Sequence, residues 1–436
     1  MGRRNNQIYV GHLVADKGVL NNVLLRMHGG IVESIEQIDP ENLPPDTLDF
    51  KNCTAYPGLI NLHEHLACPV FHDPQAETLH PSSHKWILER YGKLAFSALD
   101  SLIPVVLASK YLLPNFLRLG PNSDLTNLLR LKPWPGFQTE NLYHYHAFRN
   151  LFSGVTTVLD HSQYLPELPV RLVENKYTMY GMRWQAGQVK QLLKWKKNGK
   201  PLFIHVGDGV GKQTADDFDN LRDMGGLRPD VILVHGLIVT GKRLREAIKA
   251  GTRIIWCPTT SSRMFGSIVN VKAMLEQGLE LSLATDAIDT GSFSMLDELR
   301  SAREKYMQRF HEDLGAEKLF EMVTSIPAGW LLEEKPLGKL EKGYAADLFL
   351  LENDGKDPHE SLLRADESDI QAVFCNGELC LHKEDALNID LSEYGNFVSI
   401  QKGGFNWILR EKVPGSIERA EKAWEKLGLP SLWIRI

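Results

Sequence analysis

The chain has 436 residues, 24% of them charged and 43% hydrophobic, with a formal net charge of −6. That length exceeds one ordinary domain and fits a large barrel plus a small domain with a sizeable core. The mildly acidic balance excludes the basic footprint that nucleic acid or an anionic membrane selects.

Five scattered cysteines, at positions 53, 68, 257, 375 and 380, form no Cys-x-x-Cys pair and read as reduced thiols. Basic residues open the chain, but no apolar run of signal-peptide length follows, and no window nears the roughly 20 apolar residues of a membrane span. A cytoplasmic protein is expected.

Residues 7–56 alternate apolar and polar positions over short runs, punctuated by Gly29 and Gly30, and read as strands of a small β-unit. The next apolar run, 56–62, ends in His63-Glu64-His65. Residues i and i+2 of a strand share a side, so His63 and His65 emerge together. Two imidazoles on one side of a rigid strand end make half of a transition-metal site, which wants nitrogen ligands at roughly 2.0–2.1 Å in fixed directions. The bland alternative is a half-exposed strand face carrying the same pattern by chance.

Residues 66–150 lack barrel-like alternation. Helical periodicity over 86–118 breaks at Pro104 and Pro114, and 115–137 reads as loop. An insertion this long after a first barrel strand either lies over the mouth of a site as a lid or forms an oligomer interface. Its histidines, His72, His80, His84, His144 and His146, read mostly as surface or lid residues. Cys68 and Cys257, near the expected mouth, read as small buried hydrophobes.

Further strands are expected at 155–160, 178–184, 202–206, 231–235, 253–257 and 280–285, with a basic helix over 188–197. An eighth barrel strand is missing from this count, so either 169–173 contains it or the barrel is distorted. His205, His235 and Asp286 each stand where a short apolar strand finishes. Polar ligand types at successive strand ends are the pattern of a parallel α/β barrel of the (β/α)8, TIM-like kind, whose chemistry collects at the C-terminal ends of its strands. Arg183 and Trp184 end the 178–184 run and either meet a flat substrate or pack at the barrel rim.

Helical stretches follow at 299–310, 316–325 and 326–332, and 416–427 is amphipathic with Gly428 as its stop. From about 338 the β texture returns, with Asn376-Gly377 as a strong hairpin signal. The expected organisation is a barrel over 57–336, with a composite β-sandwich built from 1–56 and 337–436 and ending in a helical tail.

Seven motifs occur in order over about 56–350: Pro57-Gly-Leu-Ile-Asn-x-His63-x-His65, Gly154-Val-Thr-Thr-Val-Leu-Asp-His161, His205-x-x-Asp208, His235-Gly236, Cys257-Pro258, Thr285-Asp286 and Gly343-x-x-Ala-Asp347-Leu. On these residues the chain resembles the amidohydrolase superfamily, specifically the mononuclear deaminase and chlorohydrolase branch, cytosine deaminase-like, that acts on ring compounds. The resemblance implies one divalent metal ion, zinc first with iron or manganese as alternatives, held by His63, His65, His205 and Asp286. Such an ion leaves a position for water and lowers that water's pKa towards neutrality.

Proton transfer then falls, by the same resemblance, to Asp208 and His235. The family has glutamate where this chain has Asp208, and the missing methylene sets the carboxylate roughly 1.5 Å back. A misplacement of about 1 Å can cost on the order of a hundredfold in rate. Gly207-Asp208-Gly209 also reads as a plain loop turn. His161 fits a place behind the ligands, orienting one of them or facing the pocket. No lysine ends a strand where it would bridge two ions, which argues for a mononuclear site.

The expected function is hydrolytic deamination of a small cyclic nitrogen compound. One alternative is hydrolysis of an amide, lactam or carbon–halogen bond on the same scaffold, and another is a non-catalytic relative that binds a metal or ligand. The expected partners are a small-molecule substrate and further copies of the chain as a homo-oligomer, without nucleic acid or membrane.

Overall fold

The computed structural model describes residues 6–66, 79–86, 139–161, 167–196, 199–387, 395–427 and 431–435. Four strands open the chain: β1 Asn6–Ala15, β2 Gly18–His28, β3 Ile31–Gln37 and β4 Leu48–Pro57. Eight short strands follow: β5 Leu59–Glu64, β6 Val155–Asp160, β7 Arg171–Leu172, β8 Tyr177–Met179, β9 Leu202–Val206, β10 Val231–His235, β11 Arg253–Trp256 and β12 Leu281–Leu283. The last six are β13 Leu348–Glu352, β14 Ile370–Cys375, β15 Glu378–Lys383, β16 Phe397–Lys402, β17 Phe405–Arg410 and β18 Ile434–Arg435.

The first four and last six strands share one ten-stranded sheet, ordered β18-β16-β17-β15-β14-β13-β4-β1-β2-β3. The two ends of the chain meet where β13 runs antiparallel to β4, Leu348 opposite Pro57. Alternation explains the strands, because inward residues such as Ile8, Val10, Val23, Leu25, Leu348 and Leu350 form one apolar cluster. Asn376 and Gly377 join β14 to β15 with φ of 56° and 72°, the twist a two-residue hairpin turn requires.

From β4 the chain passes through Gly58 directly into β5. A Cβ on Gly58 would lie 2.2 Å from Thr156 Oγ1, so only glycine lets this junction lie against β6.

The eight central strands form a three-stranded sheet, β5-β6-β7, and a five-stranded sheet, β12-β11-β10-β9-β8, with parallel pairing throughout. Hydrogen bonds tie the two sheets together, among them Asp286 N donating to His63 O at 3.0 Å and Thr178 Oγ1 donating to His161 O at 2.7 Å. One apolar cluster draws alternate residues from both sheets, among them Ile60, Leu159, Phe203, Ile232, Val234 and Ile255. The intervening Leu202, Ile204, Val231, Leu233 and Ile254 pack with helix residues such as Phe218, Leu221 and Leu244. Burial on both faces is what parallel strands flanked by helices require.

Of the strand expectations, one open alternative is decided and one reading is corrected. The strand missing from the count is β7, two residues long within 169–173 and paired parallel to β6. It is too short for a period-2 pattern to show. The run expected over 178–184 stops at Met179. Gly181 has φ 138°, a conformation that L side chains rarely adopt, and the helix Met182–Trp195 starts immediately after it. Tyr180 N donates to Gln185 Oε1 at 2.6 Å, which ties the strand end to this helix. Arg183 and Trp184 therefore lie in the helix and not at a strand end.

The helix Thr139–Leu151 packs against the tail helix Ser416–Leu427. Trp424 meets Tyr145 edge-on, and Trp433 meets Phe148 in the same way at 5.2 Å. His144 and His146 of this helix are buried, contrary to the surface or lid position expected of them. The insertion expected to act as lid or interface lies outside the described residues between 67 and 138, apart from 79–86, and so do Cys68 and His72. Among the described residues no helix is long and apolar enough to cross a membrane.

Candidate metal centre

Successive strand ends deliver five histidines and one aspartate to a single place. His63 lies in β5 and His65 just past its end, His161 follows β6, His205 lies in β9, His235 ends β10 and Asp286 follows β12. His63 is central, its ring 4.6 Å from His161, 4.8 Å from His65 and from His205, and 5.5 Å from His235. Asp286 Oδ1 lies 3.0 Å from His63 Nε2 and 3.4 Å from His65 Nε2. The donor atoms of His63, His161 and His205 lie within 4.8 Å of one another, and so do those of His63, Cys257 and Asp286. Cys257 is buried as expected, yet it stands close enough to offer its sulfur to the cluster.

Neither ring nitrogen of His63 or of His161 closes a hydrogen bond, nor does Nδ1 of His235, although all are buried. Approach of Asp286 Oδ1 to His63 is close without hydrogen-bond geometry. Buried polar atoms normally have partners, so a cluster of orphaned imidazole nitrogens beside a carboxylate is a site with a component still to be added. Nitrogen-rich donors with one carboxylate suit a zinc-type divalent ion. The residues fit a metal.

The electrostatics point the same way. Burial pushes the pKa of His63 down to about 4, with Asp286 only partly opposing it. Burial and the neighbouring imidazoles hold His161 and His205 well below the usual histidine value. These rings are therefore neutral at pH 7, the form that ligates metals. Burial also works against the charged form of His65, but Asp286, Asp160 and Glu64 outweigh it and raise its pKa. Asp286 is pushed up by burial and held far below the carboxylate range by His63, His65 and His235. It is ionised.

The backbone is bent to present two of these groups. His235 has φ 78° and Asp286 φ 64°, left-handed values for which a non-glycine residue pays of order 1–3 kcal/mol. The hydrogen bond from Asp286 N to His63 O helps to hold the second of these.

Beneath the cluster runs a polar layer that sequence reasoning missed. Glu64 is fully buried and ion-paired with Arg149, itself buried in the helix Thr139–Leu151. Its carboxylate also accepts from Thr285 Oγ1 at 3.2 Å, Asn150 Nδ2 at 3.4 Å and the backbone N–H of His65 at 3.0 Å. Asn61 Nδ2 donates to Thr285 Oγ1 at 2.7 Å, and Asn61 Oδ1 accepts from Thr285 N at 3.3 Å. The layer thus links the His63–His65 strand to the Asp286 loop. A charged residue inside an apolar run, Glu64 between two histidines, was its only sequence signal, and the partner 85 residues away had none.

Of the expected site residues, His63, His65, His205, His235 and Asp286 converge, and His161 joins them more closely than a place behind the ligands requires. Asp208 is half-buried just beyond β9, and its carboxylate accepts a hydrogen bond from Ser83. Tyr180, not anticipated, is 53% exposed, yet its ring lies parallel to that of His205 at 6.1 Å and near-parallel to that of His65 at 6.3 Å. It forms an aromatic wall between the cluster and solvent.

Parallel strands whose ends gather histidines and an aspartate define the metal-centred, barrel-like α/β class. Within that class, residues 184–380 match the amidohydrolase family. A 5-methylthioadenosine/S-adenosylhomocysteine deaminase of Clostridium tetani is 26% identical over 229 residues, which cover 48% of this chain and 53% of the relative. The chain thus spans about half the length of that relative. A deaminase of the same name from Thermoanaerobacter pseudethanolicus is 21% identical over 440 residues, covering 91% of this chain and 96% of the relative. Among solved structures, the atrazine chlorohydrolase of Arthrobacter aurescens complexed with zinc matches with a TM-score of 0.64 at 17% identity, covering 89% of this chain and 98% of the other. The fold is TIM-barrel-like, and the resemblance to amidohydrolases holds in both sequence and fold.

Proposed function

We propose that the protein is a metal-dependent amidohydrolase that deaminates a small cyclic nitrogen compound. The observation that carries this reading is the convergence at the strand ends of five histidines, of which His63 and His161 are buried without hydrogen-bond partners, with an ionised aspartate. His63, His65, His205 and Asp286 would hold one divalent ion, zinc first with iron or manganese as alternatives. When bound, such an ion supplies Lewis acidity and acidifies water towards neutral pH.

The chain's own groups do the rest. His235 stands 5.4 Å from His205, ring to ring, with Nδ1 unengaged, placed to hold or pass a proton. Asp208 would share that work by exchanging Ser83 for the substrate. Tyr180 offers a flat face to a flat ring. The proposed organisation is a closed (β/α)8 barrel over 57–336, carried on a composite β-sandwich domain from 1–56 and 337–436 with a C-terminal helical tail, in a cytoplasmic homo-oligomer acting on a small molecule. The names of the relatives put adenine-ring compounds first among candidate substrates.

A second reading is favoured by Asp208, which is shorter than glutamate and tied to Ser83. Reactions that demand less proton delivery, the hydrolysis of an amide, lactam or carbon–halogen bond, tolerate that geometry better.

The test is metal content per chain followed by a screen for ammonia release from ring amines, headed by 5-methylthioadenosine. Ammonia released with the ring intact, and lost together with the metal in Asp286→Ala, is expected. Ring-opened or dehalogenated products would move the assignment to the second reading. A chain that takes up no zinc, iron or manganese when offered would refute both.

A further inference from the structure

We infer that His161 is itself a ligand of the metal ion, joining His63 and His205 on one imidazole face, and not a residue standing behind the ligands. The inference rests on the metal-dependent reading above and adds a member to its ligand set.

Position is the first argument. His161 is 2% exposed, and its ring lies 4.6 Å from that of His63 and 4.5 Å from that of His205. The donor atoms of these three residues can come within 4.8 Å of one another. His65, by contrast, keeps 20% of its side chain exposed and faces the Asp286 carboxylate, while the Tyr180 ring lies near both, 5.8 Å from His161 and 6.3 Å from His65. His161 is thus the more enclosed of the two rings.

Hydrogen bonding is the second. A histidine that acts from behind does so through a bond to a ligand or to a carboxylate that orients one. His161 has no such bond, because both Nδ1 and Nε2 are buried without a partner. Its neighbour Asp160 instead accepts from Leu66 N at 2.9 Å and Tyr143 Oη at 2.9 Å. The backbone is nonetheless fixed, with Thr178 Oγ1 donating to His161 O. An imidazole held in place, aimed into a donor cluster and bonded to nothing has the form of a ligand.

The experiment uses the full chain loaded with zinc and compares wild type, His161→Ala and, as a buried control on β15 of the ten-stranded sheet, His382→Ala. Zinc affinity is read by competition with a chromogenic chelator, and the number of coordinating imidazoles by X-ray absorption at the zinc edge. The expected result for His161→Ala is an affinity loss beyond about 100-fold and one imidazole fewer, with free imidazole restoring binding. A loss of only about 10–100-fold with an unchanged imidazole count is the behaviour of a residue behind the ligands, and it overturns the inference. Should His161→Ala not fold, His161→Gln is read by the same imidazole count. Wild type that binds no zinc overturns the metal-dependent reading itself, which is distinct from wild type that binds zinc with a count indifferent to position 161.

Discussion

Replacing Arg149 by methionine tests whether the polar layer beneath the cluster holds the metal ligands in place. The substitution keeps an apolar stem like that of the arginine methylenes and removes the guanidinium. Glu64 and Arg149 are both at most 1% exposed, so the change strands a carboxylate with no route to water. Breaking a buried pair from one side typically costs about 3–5 kcal/mol. Thr285 Oγ1, Asn150 Nδ2 and His65 N remain on Glu64, which places the expected loss near the lower end, about 3 kcal/mol. Loss of the Arg149 hydrogen bond to Phe293 O adds to it.

Adding Glu64→Gln to Arg149→Met removes the stranded charge. The double variant should therefore recover about 1–2 kcal/mol relative to additive single effects, as groups in direct contact do. Urea denaturation of the four proteins of this cycle gives these numbers. Because Glu64 sits between two proposed ligands, zinc affinity should also fall by about 10–100-fold in the single variant. A loss below about 1 kcal/mol with wild-type zinc affinity would refute the argument that this pair positions the site.

Two further outcomes follow from local geometry. Gly58→Ala places a Cβ 2.2 Å from Thr156 Oγ1 and 2.7 Å from Thr156 Cγ2, so it should destabilise by about 1–3 kcal/mol, and Thr156→Ala in the same chain should relieve part of that loss in a denaturation series. Glu298 is fully buried, and burial raises its pKa to about 7, against hydrogen bonds from Ser292 and Thr259. Its folded pKa lies above its unfolded one, so the native state binds the extra proton between about pH 4.5 and 7, and stability falls as pH rises through that window. Glu298→Gln removes the titration, so its melting temperature relative to wild type should climb from pH 5 to pH 8. A constant difference across that range would show that Glu298 does not titrate there.

The sequence alone determined the elements whose pattern is local. Apolar runs of strand length ending in His63, His205, His235 and Asp286 announced both the parallel strands and most of the cluster, because a strand buried on both faces must be apolar until the residue at which it emerges. The hairpin at Asn376-Gly377 and the helix Ser416–Leu427 were legible for the same reason, as turn chemistry and helical periodicity lie within a few residues of each other. What failed was whatever lacked a period. The strand Arg171–Leu172 is too short to alternate, and the end of β8 hangs on the φ of Gly181.

Tertiary structure decided the rest, because it concerns distances between residues remote in the chain. Nothing local tells Glu64 that Arg149 lies against it, or Asp208 that Ser83 takes its carboxylate. Nor does it show that Tyr180 walls the cluster, or that His161 turns inward with both nitrogens unengaged beside His63 and His205. Side-chain type and strand position named the candidates. Packing of separate strands and helices around one point determined which of them meet.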